Sequence, residues 1–225
     1  IEHANVIESS SKMIKRILLT HTHPDHSPGA ALLQKKLNIP IYGLATHSSI
    51  FKDGIINFES YLSDGDLITT KEYTIETIHT PGHASNHLCY LLDQEKVLFT
   101  GDHIMDGSTV VIAPPDGNMT DYINSLSKIK NYDIECIAPG HGEIIKNPTE
   151  IIDWTIEHRF QRESKVINSI DRLGLCNIKE LLKEVYSDVN SNLLPIAEWS
   201  LNAHLDRLID LEKVTIQDNK YSLND

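Results

Sequence analysis

Hydrophobic positions change their spacing twice along this chain. Up to about Lys146 they fall in short apolar or β-branched runs broken by Gly, Pro, Asp and Asn. These runs predict strands at Arg16 to Thr20, Ile39 to Leu44, Tyr73 to His79, His87 to Leu92, Val97 to Thr100 and Glu135 to Ala138. Between them, Pro28 to Leu37 and Thr120 to Lys130 repeat at helical spacing, the second opening on Thr120-Asp121 as a cap. Strands interleaved with amphipathic helices predict a layered α+β domain over residues 1–146.

After Lys146 the period lengthens. Asn147-Pro148-Thr149-Glu150 starts a helix that runs through Trp154, Phe160 and Val166 to about Leu173, a linking helix over 147–173. Then come Ile178 to Tyr186, a longer helix from about Ile196 to Leu211, and two β-like runs around Asp218-Asn219. Helix, helix, hairpin predicts a small winged-helix-like unit over 174–225. No run approaches the roughly 18 apolar residues of a membrane span, and Ile1-Glu2-His3 has neither the basic nor the apolar region of a signal peptide.

The chain of 225 residues can bury one large core and a small appendage. Its formal charge of -12 argues against wrapping nucleic acid through many phosphate contacts. The tail from Ser164 to Asp225 holds seven Lys and Arg against ten Asp and Glu, so it carries no strong DNA-binding signal. Three separated cysteines, Cys89, Cys136 and Cys176, predict neither a CxxC site nor a disulfide framework, and Cys89 and Cys136 read as core residues. A reducing, cytoplasmic setting is expected, or a mitochondrial one if an upstream targeting segment was removed.

The chemistry concentrates in Thr20-His21-Thr22-His23-Pro24-Asp25-His26, between a predicted strand and a predicted helix. Four ligand-type side chains in six residues suit a borderline cation such as Zn2+. At this chain's own His and Asp frequencies the pattern HxHxDH arises by chance about 0.003 times, so a surface loop with incidental histidines is the weaker reading. Further ligand-type residues follow predicted strands: His83 in Thr80-Pro81-Gly82-His83, Asp102 in Thr100-Gly101-Asp102, and His141 in Pro139-Gly140-His141-Gly142. His87, four residues after His83, is a candidate proton donor or substrate contact. His103 is expected to point away from the site, and His47 to start a helix or sit in a loop.

HTHPDH, TPGH, TGD and PGHG, in that order, resemble the successive motifs of the metallo-beta-lactamase superfamily. The resemblance implies a four-layer αββα fold and a two-zinc site, with iron or manganese as alternatives. His21, His23 and His83 would hold the first ion, Asp25, His26 and His141 the second, and Asp102 would bridge. Two such ions lower the pKa of a bound water toward about 7 and supply hydroxide, which makes Asp25 and Asp102 the catalytic acids of the set.

The stretch from Gly101 to Met119, with His158-Arg159, is similar to the beta-lactamase-like protein 2 group, which carries a C-terminal winged-helix-like domain and includes a mitochondrial endoribonuclease of single-stranded RNA. That likeness implies an RNA substrate. Small esters, thioesters or lactones, as in glyoxalase II-like members, are the alternative, and a non-catalytic metal-containing binding or assembly module is a third. Only a short stretch precedes Arg16, where the superfamily has several strands. The first sheet is therefore expected to be short, with apolar edges that favour self-association.

Overall fold

The computed structural model describes residues 2–10, 13–45 and 56–224, so the expectation for His47 lies outside the described residues. The chain opens with a helix, α1 (Glu2–Ser10), followed by β1 (Ile17–Leu18), α2 (Ser27–Leu37), β2 (Ile41–Gly43) and β3 (Phe58–Tyr61). β1 and β3 flank β2 in a three-stranded parallel sheet. Among the described residues no strand lies on the outer edge of β1, and α1 packs on α2.

A second sheet follows in the order β4-β5-β6-β7-β8, formed by β4 (Leu67–Thr69), β5 (Thr74–His79), β6 (Leu88–Leu92), β7 (Val97–Gly101) and β8 (Cys136–Pro139). β4 to β7 pair antiparallel, and β8 joins β7 parallel after the crossover through α3 (Met119–Ile129). The side-chain period of two explains why this sheet is buried on both faces. One face sends Ile78, Leu98 and Ile137 into a core with Tyr122, Leu126 and Ile129 of α3. The other sends Leu88 and Tyr90 against Leu18 and Tyr42 of the first sheet. The far face of that sheet packs Leu19 and Ile41 on Ala30 of α2. The layers are therefore α, β, β, α.

α3 starts one residue earlier than the sequence predicts. Its cap is Asn118, whose side chain accepts from the Asp121 N–H at 3.0 Å, whereas Thr120 already lies inside the first turn. β3 and β4 were not predicted, because strands of four and three residues that are mostly exposed leave little periodic signal.

The long helix α4 (Pro148–Leu173) leads to β9 (Cys176–Asn177), α5 (Ile178–Val185), α6 (Leu194–Asp210), β10 (Val214–Gln217) and β11 (Lys220–Leu223). Asn177 and Glu180 form a reciprocal capping box at the start of α5. β9, β10 and β11 make a sheet ordered β10-β11-β9. The hairpin turns at Asp218 and Asn219, both left-handed with φ of 52° and 58°, as a two-residue turn of the primed type requires. This segment has its own core, built from Val166, Ile170, Leu181, Val185, Leu201, Leu205 and Leu208. Ala203 of α6 also reaches the larger core, and a buried pair of Arg207 Nε and Glu163 Oε2 at 3.0 Å ties α6 to α4. No helix among the described residues is long and apolar enough to cross a membrane.

Candidate metal centre

Four loops at the same end of the two sheets carry the ligand-type residues. The loop after β1 turns tightly, with the His26 and Ser27 N–H groups both donating to the His23 carbonyl at 3.0 Å, so His21, His23, Asp25 and His26 leave it in a common direction. Loop 80–87, between β5 and β6, brings His83. It is pinned to the first loop by the Asn86 side-chain amide, which donates to Thr22 Oγ1 at 3.1 Å and to the Leu44 carbonyl at 2.9 Å. Asp102 follows β7 and His141 follows β8, and the Gly140 N–H donates to the Gly101 carbonyl at 2.8 Å, holding those two strand ends together.

Two groups of ligating atoms result, each with all members within 4.8 Å of one another: His21, His23 and His83 in one, and Asp25, His26, Asp102 and His141 in the other. Asp102 faces both. Its Oδ2 lies 3.7 Å from His83 Nε2, and its Oδ1 lies 3.2 Å from His26 Nε2 and 3.5 Å from His141 Nε2. Asp25 Oδ2 completes the second group at 3.3 Å from His141 Nε2. All seven sequence-predicted ligand residues thus converge.

A cation fits this donor set on three grounds. His21 Nε2 and His83 Nε2 are buried with no hydrogen-bond partner among the described residues, a costly state for a polar atom unless something binds it. The His83 Nδ1–H donates to the Val111 carbonyl at 2.8 Å, leaving the Nε2 lone pair facing the cluster, while His21 Nδ1 pairs with Thr20 Oγ1 at 3.1 Å. The imidazoles of the first group, His21, His23 and His83, are also held toward the neutral form that ligates a metal. Burial, followed by repulsion from His87, His26, His83 and His23, holds His21 far below its usual value. Burial and then His83 push His23 down to about 4, against opposing pulls from Asp116, Asp25 and Asp102.

His87, expected as a proton donor or substrate contact, does not line the cleft beside the cluster. It is fully buried beneath the cluster, and both ring nitrogens are engaged: Nδ1–H with Thr80 Oγ1 at 2.9 Å, and Nε2 as acceptor from the Asp102 N–H at 3.3 Å. Burial, then repulsion from His103, keeps it deprotonated. Its single ring N–H is engaged by Thr80, and the ring does not reach open solvent. From there its Nε2 holds the backbone N–H of Asp102. His103 points the other way, into the core, where its ring lies 4.9 Å from that of Tyr122. Asn86 and Thr80 were not predicted. Nothing local in the sequence distinguishes a loop Asn or Thr that braces a ligand from one that faces water.

Beside the cluster lies a cleft of about 710 Å3 lined by His83, Asp102 and His141 and closed by α4 and the C-terminal segment. Its walls include Met105, Val111, Leu193, Ile196 and Ala197, with Arg159 and Arg162 of α4.

The family model for the metallo-beta-lactamase superfamily matches residues 4–141. A beta-lactamase-like protein 2 homolog of Caenorhabditis elegans is 33% identical over 82% of this chain and 61% of its own length, and one of Drosophila melanogaster is 29% identical over 91% and 71%. The chain thus spans about three fifths of the nematode relative. An atrochrysone carboxyl ACP thioesterase of Aspergillus fumigatus is 28% identical over 71% of this chain and 48% of its own. Among solved structures, a beta-lactamase domain protein from Burkholderia ambifaria superposes with a TM-score of 0.83 at 16% identity, covering 99% of this chain and 78% of that one. A chain solved in a di-iron-bound form gives 0.55 at 21% identity, covering 64% and 78%.

Proposed function

Because this chain belongs to the metallo-beta-lactamase superfamily, whose members are typically metal-dependent hydrolases, we propose that it is a two-metal hydrolase of small carboxylic thioesters and esters. The observation that carries the reading is the convergence of seven His and Asp side chains beside a largely apolar cleft. His21, His23 and His83 would hold one ion, Asp25, His26 and His141 the other, with Asp102 shared. Zinc suits the donors, as iron and manganese do, and one structural relative was solved with two irons. When bound, such ions acidify water and polarise the group under attack.

The chain's own residues supply the rest. Asp102, 6% exposed, places one carboxylate oxygen toward each group. Asp25 has a side chain 57% exposed and lies 3.3 Å from His141, so it is the carboxylate placed to take a proton from water and return it to the leaving group. The cleft's aliphatic walls would hold the acyl body and exclude water around the scissile carbonyl. The thioesterase relative is consistent with this substrate class. We also read the segment from β9 to β11 as a winged-helix-like unit that serves as the cleft's wall.

Single-stranded RNA is the second reading, favoured by one feature: the exposed Trp154 ring, stacked at 5.4 Å on His158, which lines the cleft, is a surface on which a base could lie. Metal-loaded protein should hydrolyse a panel of acyl thioesters, lose that turnover in chelator, recover it when metal returns, and leave a labelled RNA oligonucleotide intact. RNA cleavage with intact thioesters would replace this reading by the second. Bound metal with neither activity would leave a non-catalytic module.

A further inference from the structure

Two arginines of α4 line the cleft, and they differ in their partners. Arg162 shares its charge with Asp188, 3.3 Å away, and Asp188 also meets Lys165 at 3.0 Å. Arg207 is matched by Glu163. Arg159 differs. It is 3% exposed, and among the described residues no carboxylate pairs with it. One Nη donates to the Val110 carbonyl, the guanidinium lies 5.1 Å from the Tyr122 ring centre, and Nε has no hydrogen-bond partner. A buried guanidinium without a counter-ion is costly unless an anion completes it. Met105, Val111 and Leu193 beside it are apolar, and the half-buried His158, whose Nδ1 has no hydrogen-bond partner among the described residues, lines the same cleft.

Position ties this charge to the reaction. The carbonyl of Val110 accepts from Arg159, and that of the next residue, Val111, accepts from His83 Nδ1. Consecutive backbone groups therefore link the unpaired guanidinium to the ligand cluster. Charge beside the cluster, rather than in it, can be read by a second polar group of the substrate.

Resting on the hydrolase reading, we propose that Arg159, with His158 and Arg162 at its side, forms a subsite for a carboxylate carried by the acyl part of the substrate. The favoured substrates are acyl thioesters or esters with an apolar body and an anionic group flanking the scissile bond. Guanidinium groups match a carboxylate in geometry and charge, and they match a phosphate equally well.

The test titrates non-hydrolysable amide analogues of equal length ending in a carboxylate, a phosphate monoester or a methyl group, by calorimetry, into metal-loaded and metal-free protein. The carboxylate analogue should bind at least about tenfold tighter than the methyl analogue in both forms, with the gap narrowing as salt rises. Arg159→Gln should bring that ratio near one, and Arg159→Lys should keep part of it. Because the unmodified protein already gives the ratio, a variant that fails to fold does not spoil the test. Equal binding of carboxylate and methyl analogues, a preference present only with metal bound, or a stronger preference for phosphate would overturn the proposal. Thioester turnover measured in parallel separates the two claims: turnover without anion preference removes the subsite alone, and absent turnover removes the hydrolase reading.

Discussion

Replacing Asp102 by alanine is expected to leave a folded protein that holds less metal and has lost most of its activity. Changing a residue that merely orients a ligand costs about 10- to 100-fold in metal affinity or activity, so loss of this shared carboxylate should lower kcat/KM by more than about 100-fold. Of the two carboxylates in the cluster, Asp102 is the buried one, and it approaches both groups, at 3.2 Å from His26 and 3.7 Å from His83. Asp25 approaches one group and is half open to water, so Asp25→Ala should reduce metal content less. Asp102→Asn keeps the volume and removes the charge, which separates a steric effect from an electrostatic one. Metal content by mass spectrometry and kcat/KM at saturating metal read the effect. Parent-like metal content in Asp102→Ala would remove the shared role.

Gly82→Ala should destabilise the fold by more than about 3 kcal/mol, a large value for one methyl group. Gly82 has φ of +139°, where an L side chain is strained, and an added Cβ would lie 2.3 Å from Tyr122 Cα and 2.5 Å from Tyr122 N. These are backbone atoms of α3 and cannot swing aside. The same loop is fastened to that helix twice, by the Asn118 N–H donating to the Gly82 carbonyl at 2.8 Å and by Ser125 Oγ donating to the Pro81 carbonyl at 2.8 Å. Relief of the clash therefore pulls apart the contact that positions His83, one residue on. For a chain of this length, about 2 to 4 °C is lost per kcal/mol, so thermal unfolding should begin roughly 10 °C lower. Gly65 is the control: its φ is +80°, but an added Cβ meets nothing within 4 Å, so Gly65→Ala should cost only backbone strain of about 1 to 2 kcal/mol. Equal losses at both positions would contradict the packing argument.

The ligand-type residues were legible because metal chemistry restricts the side-chain types and because each motif follows an apolar strand whose end fixes where its loop points. HTHPDH, TPGH, TGD and PGHG could be read for that reason, and the Asp218-Asn219 hairpin for its turn chemistry. Other features depend on tertiary packing. His87 sits four residues after His83, a spacing that invites a place in the cleft, yet the chain enters β6 at Leu88 and buries the ring under Asp102. β3 and β4 are short, mostly exposed edge strands, and β3 carries the charged Glu59, as edge strands often do. α1 is mostly polar, so no helical pattern of apolar residues can be read over Glu2–Ser10. His158-Arg159 stood out in the sequence as part of the family likeness, but neither the burial of Arg159 nor its lack of a carboxylate partner among the described residues could be read there.

The most direct test of the whole account is anomalous diffraction from crystals of the metal-loaded protein, recorded on both sides of the metal's absorption edge. Two peaks are expected, one contacting His21, His23 and His83, the other contacting Asp25, His26 and His141, with Asp102 reaching both. Peaks elsewhere, or none among these seven side chains, would contradict it.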